Sequence, residues 1–109
     1  MSISHNCPCT DACPLQHAME MIGGKWKLPI LCSLAVDGST RYNDLKRKLG
    51  GISNTMLAKS LKELEEEGLV TRTEYMEVPI RVEYATTEKS RTLIPILVQL
   101  AQWAASVEK

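Results

Sequence analysis

The chain contains no phenylalanine, and only two tryptophans and three tyrosines stand among its 109 residues. Any core must therefore be filled by Leu, Ile, Val, Met and Ala. No apolar run approaches the roughly 18 residues that span a bilayer. The N-terminus has no basic stretch leading into an apolar one, so no secretory signal is read there. The expectation is a cytoplasmic protein with no membrane segment. Histidine is scarce: His5 and His17 are the only two. There is no Ser/His/Asp set, no glycine-rich phosphate loop and no carboxylate pair beside an apolar pocket, so an enzyme is not expected. Net charge is missing as well, with thirteen basic residues against thirteen acidic ones. On the average this argues against a nucleic-acid partner.

The average hides a pattern. Residues 40–62 carry Arg41, Lys46, Arg47, Lys48, Lys59 and Lys62 against Asp44 alone, a local +5, and "ELEEE" at 63–67 carries −4. Such segregation offers one basic face and one acidic face. The bland alternative is a pair of solvated helix faces with Lys59–Glu63 and Lys62–Glu66 pairing at i,i+4. Otherwise composition is ordinary, 44% hydrophobic and 24% charged. That fits one folded domain with a small core, which gains from oligomerising.

"CPLQHAMEMIGG" predicts a first helix. Leu15, Ala18, Met19 and Ile22 form an apolar stripe, Pro14 suits the first position, and Gly23-Gly24 ends it. "KWKLPILCSLAV" predicts a second, more buried helix, with a kink near its start at Pro29 and with Cys32 as an inert core residue. "TRYNDLKRKL" predicts a short third helix capped by Thr40, with Tyr42, Leu45 and Leu49 inward. After Gly50-Gly51, "SNTMLAKSLKELEEEG" predicts a fourth, capped by Ser53 and stopped at Gly68, with Met56/Leu57, Leu61 and Leu64 inside. The period then changes to the alternation of strands in "LVTRTEYM" and "IRVEYATT", with Pro79 near the turn between them. A final helix of about twenty residues follows, its apolar positions covering more than one stripe. Pro95 predicts a bend there. The fold class is mainly α with a small β-hairpin, in the order of a winged helix-turn-helix.

Three of the four cysteines and both histidines crowd into "HNCPCTDACPLQH", residues 5–17. Cys7, Cys9, Cys13 and His17 or His5 are ligands of a type zinc accepts, which makes a zinc-binding structural or metal-sensing protein the alternative to a plain DNA binder. Against it, Cys-x-Cys is cramped, and structural zinc sites draw ligand pairs from separate segments. No metal or other cofactor is expected. A protein–protein adaptor on the same scaffold is the third class.

The chain resembles the HxlR family of bacterial transcription regulators, winged helix-turn-helix proteins akin to the MarR group. The resemblance runs from about Cys13 to Ala105. It is carried by "CPLQHAMEMIGGKWKLPIL", "RYNDLKRKLGGISNTMLAKSLKELEEEGLVTR", "EVPIRVEYATTEKSRTLIPIL" and "LAQW". It implies a homodimer, formed mainly by the first and last helices, that binds double-stranded operator DNA. It also implies that some members use the cysteine of Cys-Pro, here Cys13, to sense electrophiles or oxidants. Residues 1–12 then form a tail and 13–109 a single domain with its dimerisation helices. The family usually has an aliphatic residue where Pro29 stands, and the extra cysteines of "CPCTDAC" have no guide in it.

On that fold the fourth helix enters the major groove with its N-terminal residues toward the bases. Ser53, Asn54, Thr55, Lys59 and Lys62 face the DNA. Asn reads adenine, while Lys reaches guanine or phosphate. Lys25, Arg41 and, on the wing, Pro79 and Arg81 are expected at the phosphates. Lys46, Arg47 and Lys48 fall at the rim or on plain surface, and Arg72 is expected to be structural. Cys13 stands at the N-cap of the first helix, where free N–H groups and the helix dipole favour a thiolate, while Asp11 works against it. Cys7 and Cys9 are either resolving thiols or part of an inert tail.

Overall fold

A computed structural model of the protein describes residues 13–107. Five helices and three strands follow in the order α1 (Pro14–Ile22), α2 (Lys27–Asp37), β1 (Thr40–Arg41), α3 (Tyr42–Leu49), α4 (Asn54–Glu66), β2 (Val70–Tyr75), β3 (Arg81–Thr86) and α5 (Glu88–Val107). β3 lies in the centre of an antiparallel sheet of order β1-β3-β2. The β2–β3 hairpin is the wing, and α3 and α4 are the helix-turn-helix.

Local chemistry sets most boundaries. Pro14 opens α1, where its missing N–H has no partner to lose. α1 stops at Gly23, whose N–H reaches the Met19 carbonyl at 2.7 Å. A Cβ at Gly23 would run into that same oxygen. Ser53 caps α4 by accepting the Met56 N–H at 3.1 Å. Gly68, at φ +76°, takes the left-handed turn after α4 that a side chain would disfavour. Thr87 and Ser90 cap α5 reciprocally: the Thr87 N–H donates to Ser90 Oγ at 2.9 Å and the Ser90 N–H to Thr87 Oγ1 at 3.2 Å.

Three expectations need correction. Pro29 falls in the first turn of α2, and Ile30, not Pro29, makes the first hydrogen bond, to the Trp26 carbonyl at 3.0 Å. Pro29 therefore forfeits nothing and gives no reason for a kink. Thr40 does not cap α3. It is buried in β1, opposite Tyr84, and Arg41 takes the N-cap position. Cys32 is exposed, because α2 buries Ile30, Leu31 and Leu34 on one face and Cys32 points away from it.

The core joins α2 to Leu45 of α3, to Leu57, Leu61 and Leu64 of α4, and to Ile52, Leu69, Val70 and Tyr84. It is aliphatic, as the missing phenylalanine required, with Tyr84 as its one aromatic member. The long α5 contributes little beyond its first turns: Ser90 is its buried residue and Leu93 packs against the core. Ile96, Val98, Leu100, Trp103 and Val107 are left exposed, Trp103 at 62%. α1 buries no residue and exposes Leu15 and Met19. Among the described residues the first and last helices thus carry exposed apolar surface. The start of α5 is tied to the end of α4. Thr87 Oγ1 donates to the Gly68 carbonyl and Lys89 Nζ to the Glu67 carbonyl, each at 2.7 Å.

Candidate nucleic-acid interface

α4 is two-faced. Leu57, Ser60, Leu61 and Leu64 are buried, while Ser53, Asn54, Thr55, Lys59 and Lys62 are all exposed. The N-terminus of the helix brings free N–H groups and a positive dipole end to the same place. Among the described residues neither Lys59 nor Lys62 makes an ion pair. The Lys59–Glu63 pairing of the bland alternative does not form among the described residues. Glu63 takes Lys27 instead, at 3.1 Å, and the Lys27 side chain is only 13% exposed. That bridge ties the start of α2 to the flank of α4 and leaves both outward lysines unspent. A cleft of ≈ 400 Å³ opens beside it, lined by Lys25, Trp26, Met56, Lys59 and Glu63. Lys25 precedes α2 and stands over the Trp26 ring, 5.0 Å from its centroid.

Tyr42, expected only as an inward-facing residue, has a second role. Its hydroxyl lies 3.1 Å from the Asn54 carbonyl and 3.4 Å from Asn54 Oδ1, and so steadies the first turn of α4 from α3. Burial lifts the phenol above its ordinary range and nearby Tyr84 adds to the shift, which keeps the proton needed for donation.

The remaining basic residues are less free than their number suggests. Lys48 pairs with Asp37 at 2.6 Å, and Arg47 pairs with Asp44. Arg72 pairs with Glu74 at 2.9 Å. Hydrogen bonds to Glu74 and then Tyr84 raise its already high pKa. Arg41 is exposed at the head of α3 and borders a cleft of ≈ 580 Å³ between α3 and the wing tip, with Tyr42, Glu77, Pro79 and Arg81. Arg81 is heavily engaged. Its Nη2 lies 3.0 Å from Glu77 and its Nε 3.3 Å from Glu83. Its guanidinium carbon stands 4.1 Å from the centroid of the Tyr75 ring. The Glu83 contact is an ion pair at an angle that makes no hydrogen bond from Nε.

A helix-turn-helix with an open basic and polar face, followed by a two-stranded wing, invites comparison with known regulators. The profile of the HxlR-like helix-turn-helix family matches residues 21–109. The chain belongs to the HxlR family. An HTH-type transcriptional regulator of Halalkalibacterium halodurans is 48% identical over 90 residues, covering 83% of this chain and 80% of that protein. Among solved structures, the redox regulator HypR in its reduced form superposes with a TM-score of 0.82 at 39% identity, covering 89% of this chain and 95% of its own. A MarR-family transcriptional regulator of Porphyromonas gingivalis superposes at 0.83 with 35% identity, covering 92% and 97%. This chain is therefore a transcriptional regulator of the helix-turn-helix type.

In an HxlR-family protein the Cys-Pro at the head of α1 draws notice. Cys13 is the N-cap residue, its carbonyl accepts the His17 N–H at 3.2 Å, and it is 2% exposed. The thiol is thus shielded rather than open, which sequence position alone did not indicate. Asp11 lies outside the described residues, and so do His5, Cys7 and Cys9, which the zinc set needs beside Cys13 and His17. Among the described residues no three His, Cys, Asp or Glu side chains gather as a metal site. No helix there is long and apolar enough to cross a membrane.

Proposed function

We propose that the chain acts as a homodimer that binds double-stranded operator DNA and alters transcription in response to oxidants or electrophiles through Cys13. The observation that carries the DNA reading is the outward face of α4. Ser53, Asn54, Thr55, Lys59 and Lys62 stand exposed together there, and its two lysines make no ion pair among the described residues. In the major groove these side chains meet base edges, and Lys25 and Arg41 flank them at the phosphates. The wing, with Pro79 and Arg81, lies along the adjoining groove. The dimer reading is supported by the bare apolar faces of α1 and α5, which a second copy would cover. The thiol reading is supported by the N-cap place of Cys13 and by the likeness to HypR, a redox regulator.

The test is a binding measurement. Duplexes selected from a random pool supply the site, and fluorescence anisotropy then compares reduced with diamide-treated protein. Tight binding by one redox form, lost in the other and insensitive to diamide in Cys13→Ser, is the expected result. A dimer contacting roughly eight phosphates should show log K falling with log salt at a slope near −7. Failure of both redox forms to bind any selected duplex sinks the DNA reading. A full diamide response in Cys13→Ser moves the switch to another thiol.

A further inference from the structure

The wing carries an arginine where a phosphate clamp is expected, yet its surroundings describe a different job. We propose that Arg81 is a positioning residue: it fastens the wing to the body of the domain and does not itself neutralise a phosphate. This rests on the reading of the chain as a DNA-binding protein.

Three observations carry it. The guanidinium is already spoken for, with Glu77 at 3.0 Å, Glu83 at 3.3 Å and the Tyr75 ring under its planar face. Two carboxylates around one guanidinium leave that spot net negative, so an approaching phosphate finds no unmet positive charge. The guanidinium's three partners come from three places, and one of them reaches a fourth. Tyr75 is the cross-strand partner of Arg81, Glu77 lies beyond the end of β2, and Glu83 sits on β3 opposite Arg41 of β1. The other oxygen of Glu83 accepts from Ser39 Oγ at 2.7 Å, in the turn that leads into β1. One guanidinium therefore gathers the wing tip, both wing strands and the segment feeding the helix-turn-helix. Finally, hairpin residues 70–86 hold two arginines against three glutamates, a net −1. Around Glu77 the tip exposes the apolar side chains Met76, Val78 and Ile80. Such a wing touches DNA without releasing counterions, and its contribution is insensitive to salt.

Anisotropy on a selected duplex over a salt series, with circular dichroism melts to follow folding, separates the two roles. A phosphate ligand tolerates Arg81→Lys, because lysine keeps the charge. A positioning residue does not, because lysine lacks the planar fork and stacks poorly. Arg81→Lys and Arg81→Met should both weaken binding by roughly tenfold while leaving the salt slope at its wild-type value. Lys59→Ala should make the slope shallower by about 1.8 per dimer. The sign of a third variant is the sharpest reading. Glu77→Gln/Glu83→Gln removes negative charge near DNA and on electrostatics alone should tighten binding, whereas loss of positioning weakens it. Glu77→Gln alone, on the exposed tip, has the same expected sign and stands in if the double variant melts early. Rescue by Arg81→Lys, a slope change in Arg81→Met as large as that of Lys59→Ala, or tighter binding by the glutamine variants overturns the proposal. Wild-type protein that binds no duplex overturns the DNA reading beneath it instead.

Discussion

Ser53 separates what holds α4 together from what α4 does. Its Oγ accepts the Met56 N–H at 3.1 Å, and the residue is exposed at the end of the helix proposed to face DNA. Ser53→Ala removes that cap at a cost of about 1 kcal/mol. With an unfolding entropy of roughly 2.1 cal/mol/K per residue, a chain of this length should lose about 4 °C of Tm at fixed protein concentration. Ser53→Asp keeps a capping acceptor and adds about 0.3–1 kcal/mol of favourable charge–dipole energy, so its Tm should equal or exceed wild type. Against DNA the aspartate has the opposite effect. A unit charge about 6 Å from a phosphate, at an effective dielectric constant between 20 and 80, costs roughly 0.7–2.8 kcal/mol. A homodimer meets that cost twice, so affinity should fall by about 30-fold at about 1 kcal/mol per subunit, near the lower end of that range. Differential scanning fluorimetry and anisotropy on one preparation read both quantities. A Ser53→Asp protein that melts like wild type and binds DNA as tightly would show that the head of α4 does not meet the phosphates.

Leu61 is buried at the centre of the aliphatic core, and Leu61→Ala should destabilise by about 2–5 kcal/mol in urea melts; a loss under about 1 kcal/mol would place α4's inner stripe outside the core. Trp103 stands 62% exposed on α5, and Trp103→Glu should turn the proposed dimer into a monomer by sedimentation velocity with little change in circular dichroism. An unchanged dimer would move the interface off that face. In reduced native protein with Cys7 and Cys9 replaced by serine, a maleimide should label exposed Cys32 well before buried Cys13, as read by peptide mass spectrometry. Equal labelling rates would contradict the shielding of Cys13.

What could be read from sequence was what neighbours along the chain decide. The Ser53 cap, the stop at Gly68, the α4 stripe of Leu57, Leu61 and Leu64, and the change of period into the wing all depend on residues a few positions apart. Features set by distant partners were hidden. β1 is two residues long and exists because Thr40 and Arg41 pair with Tyr84 and Glu83, more than forty positions away; Thr40 alone reads as a helix cap. Cys32 looked interior because "LPILCSLAV" is apolar throughout. At 3.6 residues per turn, however, it lies two positions from Ile30 and from Leu34 and so faces away from them. The basic run at 40–62 overstated the free charge, since Arg47 and Lys48 are paired with Asp44 and Asp37. The resemblance implied that α4 is the reading helix. It did not show that Tyr42 braces that helix, or that Arg81 is enclosed by its own wing.

The two-residue β1 has a consequence out of proportion to its length. It passes directly into α3 while its backbone is laddered to β3, a strand of the wing and the centre of the sheet. The backbone ladder at β1 thus adds a seam between helix-turn-helix and hairpin to the side-chain packing that already joins them. If α4 and the wing meet DNA as proposed, their separation is set by the fold, and substitutions along α4 should change base preference without altering the stride between the two points of contact.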